Sequence, residues 1–166
     1  MPLASVRGAA TCPANRPEAI LETTRDLVRA LQQENPGLTP GSTLVMIFTS
    51  TPDLDAAFPA AAARELGFTE TALLGAKEAG VPGAPARCIR VLALYELTAG
   101  GTPGRVHHGV PVYLGDARRL RPDLAGHVPA PTPAGPEPEP EAGSRGRPAK
   151  DGEKGDHHHE ADRDPA

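Results

Sequence analysis

This chain predicts an α+β fold, a mixed five-stranded sheet with helices on one face. Three observations carry the prediction. Strand-like and helix-like segments follow one another in the order β-α-β-α-β-β-β. The strands are nearly continuous in apolar and β-branched residues, as expected where a sheet is covered on both faces. Only two segments carry a helical pattern, so much of the second sheet face is left bare and is expected to pack against other subunits.

The first strand is "LASVRGAA", residues 3–10, with Arg7 following an apolar run and preceding a glycine. "NRPE" then offers Asn15 as helix N-cap, Pro17 in the first turn and Glu18 at the third helical position, a capping-box pattern. The helix that follows sets Ile20, Leu27, Val28 and Leu31 on one stripe with Thr24 between them, and it stops at "ENPG". "STLVMIFTS" is the second strand. Thr51-Pro52 and Phe58-Pro59 are turn or helix-start signals, and an alanine-rich helix over Ala60 to Leu66 ends at Gly67. "ETALLG" is the third strand, and the Gly/Pro loop "GVPGAP" leads into the fourth, "RCIRVLALYEL". "VHHGVPVYLG" makes the last strand, ending near Tyr113, and "DARRLRPDL" closes the domain over residues 1–125.

Residues 126–166 are of another kind. Val128 is their only apolar side chain larger than alanine or proline, and they hold eight of the chain's 20 prolines. Such a segment cannot bury enough surface to offset its ordering entropy, so a disordered Pro/Ala/Glu-rich acidic tail is expected. It carries five basic and nine acidic residues, leaving twelve of each sign before it, so the net −4 belongs to the tail. A neutral folded part with three Phe, two Tyr and no Trp gives no support for a nucleic-acid surface. No apolar run approaches the ~20 residues that span a bilayer, and "MPLASVRGAA" lacks the pattern of a signal peptide, so the cytoplasm is the expected compartment. Cys12 and Cys88 form no CxxC, and their ordinary role is that of small buried hydrophobes.

The fourth strand poses the chemical question. Cys88, Arg90, Leu92 and Leu94 share one of its faces, and a guanidinium among them needs a carboxylate, a set of carbonyls or an anionic ligand. Nucleophilic signatures are missing: there is no G-x-S-x-G elbow, and His107 and His108 have no evident Ser or Cys partner and point to opposite faces of a strand. "GGTPG" lacks the spacing of a phosphate loop, and "DHHHE" in the tail reads as a solvated stretch rather than a metal site. What remains is Arg7, Arg64, Arg90 and Arg121 at strand and loop ends, with Glu78 and Tyr113. Ordinary salt bridges would explain such a set. So would a pocket for a small dianion, because fork-shaped guanidinium groups match carboxylates bidentately.

"VRGA", "TPDLDAAFPAAAARELG", "KEAGVPGAPARCIRVL" and "VYLGDARRLRPDL" together resemble the monofunctional AroH-class chorismate mutases, over residues 3 to 124. The resemblance implies a chorismate-mutase-like trimeric pseudo-α/β-barrel with active sites between subunits. It implies an isomerase that converts chorismate to prephenate by a Claisen rearrangement, on the route to phenylalanine and tyrosine, without cofactor or metal. By the same resemblance Arg90 faces the ether oxygen. Arg7 and Tyr113 hold the enolpyruvyl carboxylate, and Glu78 bonds the ring hydroxyl. Phe58 and Leu120 are apolar walls, and Cys88 lines the pocket. Backbone groups of Leu74 and Gly75 border it, while Arg64 and Arg121 stand near the mouth.

Ala61 replaces a lysine frequent in the family, and Gly75 replaces a frequent cysteine. Both departures bear on substrate affinity more than on chemistry. Extra residues around "AGGTPGR" read as a loop insertion. A similar trimer occurs in RidA/YjgF-like imine deaminases and small-ligand-binding proteins, which also place an arginine in an intersubunit cleft, so fold alone does not decide function.

Overall fold

A computed structural model describes residues 1–97 and 104–124; the tail expected over 126–166, and most of the insertion expected before the last strand, lie outside the described residues. The elements are β1 (Leu3–Thr11), α1 (Pro17–Glu34), β2 (Thr43–Ser50), α2 (Ala60–Glu65), β3 (Ala72–Lys77), β4 (Cys88–Glu96), β5 (Val106–His108) and β6 (Val112–Leu114). Two 3-10 helices follow, Gly115–Leu120 and Pro122–Leu124.

The sheet runs β3-β2-β4-β1-β5, with β6 also pairing β1. β4 lies antiparallel between β1 and β2, whereas β3, β5 and β6 are parallel to their neighbours. The α+β class is therefore as expected, with six strands rather than five. The expected last strand is broken in two because the side chain of Asn35 takes both backbone groups of Val110. Its Oδ1 accepts from the Val110 N–H at 2.7 Å, and its Nδ2 donates to the Val110 carbonyl at 2.9 Å. Chain pinned to the end of α1 in this way cannot also continue the ladder on β1.

One sheet face carries the core. Val6 and Ala10 of β1, Met46 and Phe48 of β2, and Val91, Ala93 and Tyr95 of β4 pack with Leu27, Val28 and Leu31 of α1 and Ala60 and Ala63 of α2. Thr24 satisfies its hydroxyl within α1 by donating to the Ile20 carbonyl at 2.7 Å, which is how a polar group sits in the apolar stripe. At Gly8 the side chains of α1 press close on the sheet. A Cβ there would stand 3.0 Å from Leu27 Cδ1 and 3.1 Å from Leu31 Cδ1. Gly8→Val is expected to lower the unfolding free energy by about 1–3 kcal/mol through overpacking. Urea unfolding at fixed chain concentration measures this, and an unchanged midpoint would mean that α1 lifts off the sheet freely.

Asn15 does not cap α1. Arg16 occupies the N-cap position without a side-chain bond, and Glu18 is the second helical residue. Asn15, one residue too early, instead accepts from the N–H groups of Asp55 and Ala56 and donates to Asp55 Oδ1 at 2.8 Å. β3 lies two residues later than the sequence suggests, because Gly75 continues the parallel ladder rather than ending it. The Glu78 N–H then extends that ladder to the Ser50 carbonyl at 2.9 Å. No helix of the described residues is long and apolar enough to cross a membrane.

Candidate active site

On the face away from α1 and α2, register places Arg7 opposite Leu92, Ala9 opposite Arg90, and Arg90 opposite Thr49. Residues opposite one another in a ladder share a face. Glu78 follows Ala76, itself level with Thr49, by two positions, so its side chain joins the same face. At the other side of β1, β6 sets Tyr113 level with Ala9, and the 3-10 helix of Gly115–Leu120 folds over this corner. Cys88, Ala9, Tyr113 and Ala117 form a small apolar cluster with Leu120 against it.

These elements enclose a cleft of about 520 Å³ whose walls include Arg7, Ile47, Thr49, Arg90, Tyr113 and Arg121. A larger hollow of about 760 Å³ lies near Arg87 and Arg119, but there Arg87 Nε donates to the Cys12 carbonyl at 3.0 Å and Arg119 stands 3.8 Å from Asp116. In the smaller cleft Arg7 makes no ion pair with any described residue. Arg121 is held in a fork by Asp123, with bonds of 2.8 and 2.6 Å.

Arg90 has the carboxylate partner its strand position demands. Its Nε lies 3.1 Å from Glu78 Oε1. The contact is an ion pair by distance but not an aligned hydrogen bond, for Nε is shielded from solvent yet has no hydrogen-bond partner. Glu78 Oε1 instead accepts from the Thr49 hydroxyl. The arginine side chain as a whole is 41% exposed, whereas that of Glu78 is 14% exposed, so the guanidinium reaches up into the cleft beside a nearly buried acid. Burial pushes the Cys88 thiol up, against a weaker downward pull from the Arg90 guanidinium. Burial also raises the Tyr113 phenol, with the Asp123 charge adding to the effect.

The residues singled out in the sequence thus fall into two sets. Arg7, Glu78, Arg90, Tyr113, Leu120 and Arg121 converge, and Cys88 lies fully buried beneath them. Phe58 and Gly75 belong to a hollow of about 410 Å³ on the α-helical side, where Phe58 is 80% exposed. Arg64 is exposed on α2, and Leu74 is exposed on β3, which pairs only with β2. His108, expected to lack a serine partner, has one: its Nδ1 is 3.3 Å from Ser5 Oγ, because β5 places the two level across the ladder. No carboxylate pairs with His108 among the described residues, and the contact is solvent-exposed. Thr49 was not among the sequence candidates. Its one signal is a polar residue where "MIFTS" leaves the apolar run.

By class this is an α+β protein whose cleft presents guanidinium groups over an apolar floor. Residues 3–124 match the family model for chorismate mutase type I, and the chain belongs to that family. It is 46% identical over 120 residues to chorismate mutase AroH of Thermus thermophilus, covering 72% of this chain and 93% of that one. Identity to chorismate mutase AroH of Bacillus subtilis (strain 168) is 34% over 126 residues, or 75% and 94% of the two chains. Among solved structures, a chorismate mutase from Clostridium thermocellum superposes with a TM-score of 0.59 at 39% identity, covering 70% of this chain and 98% of that one. Family membership sets aside the imine-deaminase alternative.

Proposed function

We propose that this chain is a chorismate mutase, which converts chorismate to prephenate in a single pericyclic step. The observation that carries the reading is the convergence of Arg7, Arg90 and Tyr113 from three strands on one apolar-floored cleft, with Glu78 from a fourth segment beside Arg90. A unimolecular rearrangement needs a compact substrate conformer and stabilisation of the charge that develops as the C–O bond breaks. Arg7 and the Tyr113 hydroxyl hold the enolpyruvyl carboxylate in the folded conformer, with Leu120 as an apolar wall. Arg90 donates to the ether oxygen, where negative charge accumulates, and that charge is better matched by a fixed guanidinium than by water. Glu78 receives the ring hydroxyl, and Arg121 meets the ring carboxylate at the mouth.

The second set of residues completes the site in a homotrimer. Phe58, Arg64, Leu74 and Gly75 of one chain close the cleft of its neighbour, which accounts for their exposure and their absence from the walls of the cleft in their own chain. The bare sheet face supplies the contact surface: Leu92 is 49% exposed there, and Val45, Ile47 and Leu94 flank it at partial burial. Trimerisation into a pseudo-barrel buries this face and builds three sites together.

The test is the disappearance of chorismate with purified protein, and the pH profile adds a check on mechanism. The reaction transfers no proton; Cys88 and Tyr113 are raised by burial and so stay neutral, and the Arg121–Asp123 hydrogen bonds raise the guanidinium and lower the carboxyl, so that pair stays charged. The expected kcat is therefore flat between about pH 6 and 8. A bell-shaped profile would argue for acid–base chemistry and against this reaction. Raised values also mean that the native state holds these protons more tightly than the unfolded chain does. Their contribution to stability is complete at neutral pH and is lost as pH rises beyond the ordinary thiol range.

A further inference from the structure

Glu78 beside Arg90 poses a problem of its own. A carboxylate and a guanidinium left side by side close into paired hydrogen bonds, and such a pair would have to be broken each time substrate bound. Here the pair has not closed. Glu78 Oε1 is 3.1 Å from Arg90 Nε, yet that N–H is unpartnered, while Oε1 accepts the Thr49 hydroxyl. The Thr49 hydroxyl takes Oε1 and leaves Oε2 outside that bond.

We propose that Thr49 is a positioning residue for the reaction, its hydroxyl pinning Glu78 beside Arg90 without letting the two close on each other. The inference rests on the functional reading above. Register dictates the arrangement. Thr49 stands directly across from Arg90 between β2 and β4, and level with Ala76 on the β3 side, two residues before Glu78. A hydroxyl at that point, on the wall of the cleft, reaches the carboxylate from the neighbouring strand. It neutralises part of the acid's hydrogen-bonding demand, so Oε2 remains for a substrate hydroxyl and the Arg90 donors remain for the developing charge. The acid's proximity still lowers the cost of keeping Arg90 charged at the sheet.

Thr49→Val exchanges the hydroxyl for a methyl of similar size in a β-strand, where valine is well tolerated. Released, Glu78 closes on Arg90 and competes with substrate. KM is expected to rise roughly tenfold, the worth of one hydrogen bond to a charged group. The kcat should change less, because the bound substrate still meets Arg90, and subunit assembly should match the wild type. Thr49→Ser should restore KM. In a Glu78→Gln background the neutral amide cannot form the ion pair, so adding Thr49→Val should have little further effect. Thr49→Ala, which lacks the hydroxyl without adding a methyl, gives the same reading should valine disturb assembly. Wild-type KM in both hydroxyl-free variants, or the same loss with and without Glu78, overturns the proposal. A wild-type trimer that leaves chorismate untouched overturns the functional reading itself, a separate result.

Discussion

Arg90→Ala is expected to reduce kcat by about 10²–10³, the cost of removing one donor from a developing oxyanion, with a much smaller rise in KM. The site geometry dictates this split. Arg90 approaches from β4 with its Nε sheltered and unpartnered, held by a rigid central strand between β1 and β2. A donor so fixed spends little reorganisation when charge appears on the ether oxygen, so its removal is felt in the transition state more than in the ground state. Arg90→Lys should recover only part of the loss, since an ammonium on a flexible stem cannot place two donors along the same edge. Arg64→Ala is the control. From the mouth of the site it should chiefly raise KM, and a kcat loss equal to that of Arg90→Ala would show that the chemistry lies elsewhere. Steady-state measurement of prephenate formation decides both.

Leu94→Asp carries the second large effect. Leu94 sits level with Val45 and Ser5 on the bare sheet face, outside the walls of the cleft. A carboxylate there must either be buried unpaired between subunits, which costs several kcal/mol, or keep the subunits apart. The expected result is a folded monomer by light scattering with activity reduced by at least about 10², because in the proposed trimer Phe58, Arg64, Leu74 and Gly75 would no longer reach a neighbour's cleft. A Leu94→Asp monomer with wild-type activity would mean that each chain holds a complete site and would remove the intersubunit reading. An intact, active trimer would place the contact surface elsewhere.

Much of this molecule was legible residue by residue. The stripe of Ile20, Leu27, Val28 and Leu31 determined which face of α1 is buried, and the apolar run from Thr43 to Ser50 marked the second strand. Arg90 announced itself by standing in an apolar strand, where charge needs a reason. The errors came where a side chain reaches across the chain instead of along it. Asn15 had the pattern of a cap, but its amide found the loop at Asp55. Val106 to Gly115 had the pattern of one strand, but Asn35, 75 residues from Val110 in sequence, took the backbone groups that would have paired it. His108 met Ser5 for the same kind of reason. Local spacing carries no information about such partners.

The division extends to the site. Local residue chemistry determined the fold class, the helix-covered face, the arginines and the single acid beside them, because alternation, periodicity and charge cost act over a few residues. Which of those residues meet was decided by the tertiary structure alone. Strand order β3-β2-β4-β1 brings Glu78, Thr49 and Arg90 across three adjacent strands, and β6 returns Tyr113 to the same face. It leaves Phe58 and Arg64 outside the walls of the cleft, Phe58 in a hollow on the helix-covered side. Thr49 shows the limit most plainly: a threonine at the end of a strand is unremarked in sequence, and its place between an acid and an arginine arises only from the register of two ladders.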